Sequence, residues 1–201
     1  MKVDLNYNYN RLNLFPVPLH MINVNGFEKV RNKLIEYAYI SKKNNPKGSN
    51  FSNIGGWQSD QVYLENKDDL LESLIFNTLS QLSGIKKSVN FIVTAWFNIN
   101  NHNSYNKKHC HPNADLSGVL YIKCPNNCGN IVFESPSNFQ TYKEVESYTE
   151  EFLDENKYNH QYSFPPMEGG ILIFPAHLMH EVERNESYED RISVSFNIQL
   201  K

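Results

Sequence analysis

The chain has 201 residues, a formal net charge of -3 and a pI near 6.2. This length suits one domain with a sizeable core, and the slightly acidic balance, with lysines scattered along the chain, gives no electrostatic footprint for DNA or RNA. The N-terminus lacks the apolar stretch of a signal peptide, and no apolar run approaches the length of a membrane span. We therefore expect a soluble, cytoplasmic protein.

The N-terminal part predicts an edge strand, a helix and a loop. Residues 14–22 alternate apolar with other side chains and include two prolines, which suits an edge strand or an extended arm. Asn25 can cap a helix, with Glu28 three residues later, and the apolar face of that helix consists of Phe27, Val30, Leu34, Ala38 and Ile40. Residues 42–60 are polar and glycine-rich, which predicts a loop around Trp57.

A second helix is predicted with Asn66 as its cap, Asp69 at the third helical position and Gly84 at its end. Its apolar stripe consists of Leu71, Leu74, Ile75, Phe76, Leu79 and Leu82. From residue 88 the period becomes that of strands, which are expected at 88–99, 116–123, 130–133, 170–174 and 191–199. Many short strands without intervening helices favour an antiparallel sandwich or jelly roll.

Residues 134–166 lack a clear period and contain several aromatic side chains. We expect a long insertion here that borders a pocket mouth together with the loop around Trp57, because long loops in compact domains are commonly functional.

Three histidines and one arginine are the candidate functional residues. His109 and His111 are two residues apart, so in an extended strand their imidazoles would share one face. His180 follows the apolar run 170–175, and Arg191 opens the last predicted strand. A surface pair of histidines and an ordinary surface arginine are the simpler explanations of each feature alone. Together they suggest iron held in a β-barrel beside a dianionic cosubstrate.

The three cysteines, Cys110, Cys124 and Cys128, are an odd number in a chain without a secretion signal, which favours reduced thiols. Cys124 and Cys128 could form part of a metal knuckle, but this would need two further ligands, and Cys110 alone does not supply them.

The segment from His109 to Tyr121 resembles the iron- and 2-oxoglutarate-dependent dioxygenase superfamily. More closely, the chain resembles a group of oxygenases known from phages and marine bacteria that is distantly similar to prolyl hydroxylases. Further matches occur in the same order along the chain: Leu14–Pro18, Gly55–Ser59, Trp96, Gly169–Gly170, His180–Val182 and Arg191–Asn197. The ordered set is specific, although each motif alone is weak.

The resemblance implies a mainly β fold, a double-stranded β-helix (a cupin-like jelly roll) with flanking N-terminal helices. We expect one domain over 1–201, with helical support in 1–87 and the β-helix in 88–201. In the family pattern a histidine, an acid two residues later and a distal histidine bind iron. His109 and His180 match the two histidines, whereas His111 stands where the acid is expected. Asp115 is the nearest alternative acid.

The resemblance also implies roles for residues outside the metal site. Arg191 matches the arginine that binds the distal carboxylate of 2-oxoglutarate, and Ser193 and Tyr121 are the expected further contacts, although Tyr121 could equally be a core aromatic. Trp57 and Trp96 are candidate substrate contacts, and packing on the core is the alternative for Trp57.

The predicted function is an oxygenase that uses Fe(II) and 2-oxoglutarate to hydroxylate a substrate, with release of succinate and carbon dioxide. The substrate is open: a peptidyl residue such as proline, a small molecule or a nucleobase. Two other classes fit parts of the pattern, a three-histidine thiol dioxygenase-like cupin that needs no 2-oxoglutarate and a non-catalytic jelly-roll binding or virion-associated module. A phage protein would act in the host cytoplasm. The oligomeric state is left open, with a homodimer as one option.

Overall fold

Strands dominate the computed structural model, which describes residues 15–65, 69–137 and 145–201. The helices whose bounds both lie within these ranges are α1 Glu28–Asn44, α2 Leu70–Ser80 and α3 Glu150–Asn156. The first six strands are β1 His20–Asn23, β2 Asn53–Ile54, β3 Trp57–Gln58, β4 Val62–Leu64, β5 Phe91–Asn100 and β6 Tyr105–His109. The last six are β7 Leu116–Lys123, β8 Ile131–Glu134, β9 Gln161–Phe164, β10 Gly170–Pro175, β11 His180–Val182 and β12 Arg191–Leu200.

These strands form two antiparallel sheets. The main sheet has seven strands in the order β1-β10-β7-β12-β5-β3, and β4 also pairs with β5. The minor sheet has five strands in the order β2-β6-β11-β8-β9. Neighbouring strands are often distant in sequence, as β12 is when it pairs with both β7 and β5. The mainly β jelly roll with N-terminal helices is thereby confirmed.

The main core lies between the helices and one face of the main sheet. Helix α1 packs on β7 and β5, and its Leu34 and Ala38 are fully buried. Strand β12 alternates with period two, so that one of its faces is wholly apolar. The four core residues of that face are Ile192, Val194, Phe196 and Ile198, each with no exposed surface. The opposite face is free to carry polar groups.

A second, smaller core lies where the two sheets face each other. Its members are Val119, Tyr121, Ile131, Phe133, Leu172, Phe174 and Leu178. They come from β7, β8, β10 and the turn before β11, so they hold the minor sheet against the main sheet beside the site described below.

Both predicted helix starts need correction. Helix α1 begins at Glu28 after Phe27, which makes no side-chain capping bond, so Asn25 is not the cap. Helix α2 is capped by Asp69 itself, whose carboxylate accepts hydrogen bonds from the backbone N–H groups of Leu71 and Glu72. The predicted cap, Asn66, lies outside the described residues. An acid at this position also complements the helix dipole.

The predicted loop 42–60 contains more regular structure than its glycines suggest. Helix α1 continues to Asn44, and then β2 joins the minor sheet while β3 joins the main sheet. The N-terminal part therefore supplies strands as well as helices. The predicted edge strand forms as β1 on the border of the main sheet, where it pairs with β10.

The predicted insertion 134–166 is shorter than expected, because its last part returns to the minor sheet. Strand β9 pairs with β8, from Ile131 opposite Phe164 to Glu134 opposite Gln161. Helix α3 lies between them, capped by Thr149, and residues 138–144 are outside the described part. None of the helices in the described ranges is long and apolar enough to cross a membrane.

Candidate active site

Three histidines from the minor sheet meet at one point. His109 ends β6, and His180 begins β11 directly opposite it in the antiparallel pair, so their ring centroids are 4.3 Å apart. His111 follows just beyond the end of β6, 5.1 Å from His109 and 5.2 Å from His180. One ligand atom of each ring lies within 4.8 Å of the others, and this is the only such cluster among the described residues.

The two strand histidines have defined tautomers. His109 Nδ1 lies 2.6 Å from the carbonyl of Lys107, and His180 Nδ1 lies 2.9 Å from the carbonyl of Leu178. A carbonyl oxygen only accepts, so each Nδ1 carries the proton and each Nε2 keeps a free lone pair. Second partners of this kind commonly orient metal-binding imidazoles.

The three rings are held neutral. Burial lowers the pKa of His109, and burial together with the neighbouring imidazole of His109 lowers the pKa of His111 to about 4 and that of His180 to about 3. Neutral imidazoles with converging lone pairs fit a divalent transition metal, because only the unprotonated ring can bind one.

No carboxylate completes this set within the described part of the chain. Asp115, the alternative acid, accepts a hydrogen bond from the backbone N–H of Leu200 at 2.8 Å, which holds it at the end of β12 outside the cluster. His111 is placed by its backbone instead, because its N–H donates to the carbonyl of Ala176 at 2.8 Å. A set of three neutral ligands leaves the full charge of a divalent ion uncompensated by the protein.

The histidines open onto a cavity of about 590 Å³ that both sheets line. The polar face of β12 forms its floor with Arg191, Ser193, Ser195 and Asn197. Apolar side chains lie nearer the histidines, where Phe174 and His180 have ring centroids 4.9 Å apart. The size and mixed lining are those of a small-molecule site.

Arg191 is a buried cation without an anionic partner. It is 3% exposed, and one terminal nitrogen donates to the carbonyls of Cys128 at 2.9 Å and Gly129 at 3.2 Å. No carboxylate of the described residues forms an ion pair with it. Burial lowers its pKa, as expected for an uncompensated charge. A buried guanidinium with spare N–H donors facing a cavity is suited to bind a carboxylate.

Two hydroxyls accompany Arg191. Ser193 and Tyr121 stand opposite each other on β12 and β7, and both line the cavity. Burial raises the pKa of Tyr121, so its phenol remains protonated and able to donate. Tyr121 also packs in the smaller core, so it is a core aromatic that reaches the cavity, and its contact with 2-oxoglutarate stays a prediction.

Comparison with known proteins assigns the family. The family model described as "Putative 2OG-Fe(II) oxygenase" matches residues 94–197, which is more than half of the chain. The chain belongs to the 2OG-Fe(II) oxygenase family. It is therefore an Fe(II)- and 2-oxoglutarate-dependent oxygenase, as the sequence predicted, rather than a thiol dioxygenase-like cupin that needs no 2-oxoglutarate or a non-catalytic module. No curated protein matches the sequence.

Solved structures share the fold at low sequence identity. A Pseudomonas putida prolyl-4-hydroxylase has a TM-score of 0.61 and 12% identity, with 90% of this chain and 91% of that chain covered. A Trichoplax adhaerens prolyl hydroxylase in complex with a hypoxia inducible factor peptide has a TM-score of 0.58 and 11% identity, with 90% and 83% covered. HygX from Streptomyces hygroscopicus with nickel, 2-oxoglutarate and hygromycin B has a TM-score of 0.56 and 10% identity, with 91% and 83% covered.

The two tryptophans of the oxygenase have different surroundings. Trp96 lines the cavity, and its ring lies 6.0 Å from that of His111. Trp57 instead packs in the main core, where its Nε1 donates to the carbonyl of Asn45, and it does not line the cavity, which favours the packing alternative over a substrate contact. Side chains alternate along β3. The next residue, Gln58, therefore faces the cavity.

Sequence reasoning missed Gln58 and Asn98 as cavity residues of the oxygenase. The signal was available in the Gly-Gly-Trp-Gln-Ser motif, because a core tryptophan in a strand implies that its neighbour points the other way. Asn98 could not be found in this way, because only the register that pairs it with Gln58 and Ser193 places it in the cavity wall.

The mouth of the cavity differs from the expected lid. Phe51, Ser52 and Gln61 line it, together with residues 107–113, whereas none of the described residues in 135–137 and 145–166 does so. The loop around Trp57 borders the mouth as expected, but the insertion does not in the part that the structure describes.

The cysteines of the oxygenase are all free thiols. Cys124 and Cys128 hydrogen-bond to each other across the turn between β7 and β8, and the described residues offer no third ligand to them. A metal knuckle is therefore not formed there. The turn has another role, because it presents the two carbonyls that receive Arg191.

Proposed function

We propose that the oxygenase binds Fe(II) through His109, His111 and His180, binds 2-oxoglutarate through Arg191, Ser193 and Tyr121, and hydroxylates a peptidyl side chain. One observation supports this assignment most: three neutral imidazoles open onto the same cavity as a buried guanidinium that has no carboxylate partner in the described ranges. When bound, the iron would supply the activation of dioxygen that is coupled to oxidative decarboxylation of 2-oxoglutarate.

The histidines would present preorganised ligand atoms. The carbonyls of Lys107 and Leu178 hold the Nδ1 protons of His109 and His180, which leaves both Nε2 atoms free for the metal. The ring of His180 is further fixed between Phe133 and Phe174, at centroid distances of 5.8 Å and 4.9 Å. The ring of His111 lacks a comparable hydrogen bond in the described part, so we expect it to be the least rigid ligand.

Arg191 would orient the cosubstrate. It lies four residues before Ser195, whose cross-strand partner Trp96 is the neighbour of His111. Four residues of a strand span about 13 Å. Because the Arg191 side chain is long, its guanidinium can lie closer to the histidines than its backbone does, and the remaining gap suits a five-carbon dicarboxylate. The dianion would then balance charge at both ends, at the guanidinium and at a metal held only by neutral ligands.

The remaining walls would exclude water from the reacting centre. Trp96, Val119, Ile131 and Phe174 surround the region next to the histidines with apolar surface. Excluding water strengthens each charge interaction inside the cavity and protects reactive species from side reactions.

A peptidyl substrate is supported by the open mouth at Phe51, Ser52 and Gln61 and by the bound peptide in the Trichoplax adhaerens enzyme of similar fold. HygX, which holds hygromycin B, keeps a small molecule as the second candidate. We further propose a cytoplasmic location, since three free thiols suit a reducing compartment.

Metal analysis and cosubstrate titration test this assignment together. Protein purified without chelators should contain one iron, nickel or zinc per chain, and 2-oxoglutarate should bind the metal-loaded form and yield succinate with iron and oxygen. Oxygen consumption with a thiol and without 2-oxoglutarate would instead support the thiol dioxygenase chemistry that three-histidine sites also permit. Stoichiometric metal at other residues would refute the proposed ligands.

A further inference from the structure

Four cavity side chains form one row across the main sheet. Gln58 on β3 is opposite Asn98 on β5, Asn98 is opposite Ser193 on β12, and Ser193 is opposite Tyr121 on β7. All four line the cavity. Ser193 and Tyr121 are accounted for by the proposed cosubstrate site, but Gln58 and Asn98 are not.

The two amide side chains are buried with hydrogen-bonding capacity to spare. Gln58 is 3% exposed and Asn98 is 6% exposed. The Asn98 amide nitrogen donates to the Ser195 hydroxyl at 3.0 Å, which leaves its oxygen without a donor, and the Gln58 carboxamide has no hydrogen-bond partner in residues 15–65, 69–137 and 145–201. Neither side chain is among the fully buried polar atoms of the described residues that lack a partner, so the free amide atoms are open to the cavity, where a bound ligand can pair with them.

Their position separates them from the cosubstrate. Adjacent strands are about 4.8 Å apart, so Gln58 on β3 lies two strands, about 10 Å, from β12 and farther from β7. On its other side the cavity reaches the exposed mouth residues Phe51 and Gln61. Gln58 therefore lies between the cosubstrate groups and the entrance, on the path of an entering substrate.

The chemistry of the pair indicates what it binds. A carboxamide offers a carbonyl acceptor beside N–H donors, and the Asn98 oxygen adds a second acceptor. No aspartate or glutamate is among the described cavity residues, so the pair does not form part of a cation site. The complementary group is planar, with an N–H donor beside a carbonyl.

We infer that Gln58 and Asn98 form a subsite that binds an amide group of the substrate, either a peptide group or a primary carboxamide. This inference rests on the proposed function, because it assigns the substrate end of the same cavity. Gln58 acts here as a specificity-determining residue and takes no part in metal binding.

Small amides test the subsite directly by ligand-observed NMR on protein loaded with Ni(II) and 2-oxoglutarate. The probes are N-methylacetamide for the peptide group, acetamide for the primary carboxamide, and methyl acetate, which has a similar shape but no N–H donor. We expect one amide to bind about tenfold more tightly than the ester, and the tighter of the two amides identifies the source of the group.

Three variants make the test specific. Gln58→Met should weaken amide binding about tenfold, with methyl acetate binding unchanged and 2-oxoglutarate affinity within about twofold of wild type. Gln58→Glu keeps the acceptor oxygen and the side-chain shape, so it should weaken amide binding less than Gln58→Met does. Gln81→Met is the matched control and should behave as wild type, because Gln81 is exposed at the end of α2 and lies outside the cavity. Far-UV circular dichroism verifies that each variant is folded.

The inference is overturned if the amides and the ester bind alike to the wild type, if Gln81→Met has the same effect as Gln58→Met, or if Gln58→Met mainly weakens 2-oxoglutarate binding. The last result would assign Gln58 to the cosubstrate. Repeating the amide titration on metal-free protein separates the two proposals. Amide binding that depends on Gln58 in a protein that never binds 2-oxoglutarate would retain the subsite and refute the proposed function.

Discussion

The two ends of the cavity are built from different kinds of backbone. The metal end uses the minor sheet, in which β6 and β11 are five and three residues long and their register shifts after His180. The cosubstrate end uses β12, a ten-residue strand that is paired with β5 along its whole length and with β7 on the other side. The main-sheet ladder thus fixes Arg191 and Ser193, whereas His109 and His180 depend on strand ends and carbonyl hydrogen bonds.

This difference implies that the two ends can be disabled separately. The core face of β12 is fully buried beneath the polar face that carries Arg191 and Ser193, so truncating a polar side chain leaves the ladder intact. The histidines lie instead on short strands of the minor sheet beside the smaller core, where the ring of His180 packs against Phe133 and Phe174. Each end should therefore lose its own ligand while the fold and the other end persist.

Removal of a metal ligand should have the largest effect. His180→Ala deletes the most buried of the three rings, and we expect metal affinity to fall by more than about 100-fold, beyond what loss of a supporting hydrogen bond costs. Elemental analysis after dialysis measures this, with His177→Ala as the matched control because His177 is exposed on the same turn. Stoichiometric metal in His180→Ala would contradict the ligand assignment.

Removal of the guanidinium should have the next largest effect, at the opposite end. Arg191→Ala would leave the distal carboxylate of 2-oxoglutarate buried without a partner, at a cost of roughly 2–5 kcal/mol, or about thirty-fold or more in affinity. Arg191→Lys should recover little, because an ammonium lacks the fork geometry. Titration of 2-oxoglutarate into nickel-loaded protein measures the cosubstrate affinity of both variants. Metal content should be unchanged, and wild-type affinity in Arg191→Ala would remove the cosubstrate assignment.

A backbone change should affect the cosubstrate end indirectly. Gly129, whose carbonyl accepts from Arg191, has φ 86°, and an added Cβ would clash with the backbone carbonyl oxygen of Glu183. We expect Gly129→Ala to destabilise the fold by about 1–3 kcal/mol. It should also weaken the binding of 2-oxoglutarate more than the binding of metal. Gly84→Ala is the matched control, because Gly84 has the same φ and open space around its Cβ. If only backbone strain matters, urea unfolding should show the same loss of unfolding free energy for Gly129→Ala and Gly84→Ala.

The smallest expected effect lies away from both ends. Arg31 on α1 holds Glu168 with two short contacts, 2.6 Å and 2.9 Å. Burial raises the pKa of Glu168, whereas hydrogen bonds from Arg31 and the Cys124 N–H lower it. The hydrogen bonds outweigh burial, so the pKa of Glu168 lies below its ordinary value of 4.5. The stabilisation is therefore present above pH 4.5 and disappears as the pH falls through the lowered pKa.

The variant Glu168→Gln tests this pair by urea unfolding at pH 7 and in acid. Because the carboxylate is partly exposed, we expect a loss of only about 0.5–1 kcal/mol at pH 7, and the difference from wild type should vanish in acid. Metal and 2-oxoglutarate affinities should stay at wild-type values. A larger change in either affinity would show that α1 supports the site, against the independence of the two ends.

The sequence by itself determined the local structure and much of the chemistry. Period-two apolar residues predicted β12, the apolar stripe predicted α2, and the ordered motifs predicted a family that the comparison confirmed. Local patterns suffice here because burial requires one apolar side per strand or helix, which the spacing of residues records directly. The capping residue Asp69 was misplaced by sequence reasoning, since Asn66 offers the same chemistry three residues earlier.

Only the tertiary structure decided which residues share a wall. The row from Gln58 to Tyr121 depends on the register among four strands, and nothing in the spacing of one strand fixes its register with another. The position of His111 depends likewise on a hydrogen bond to Ala176 from a distant part of the chain. Packing of the fully buried apolar faces sets these registers, because a slip of one residue would turn every core side chain of β12 into the polar cavity.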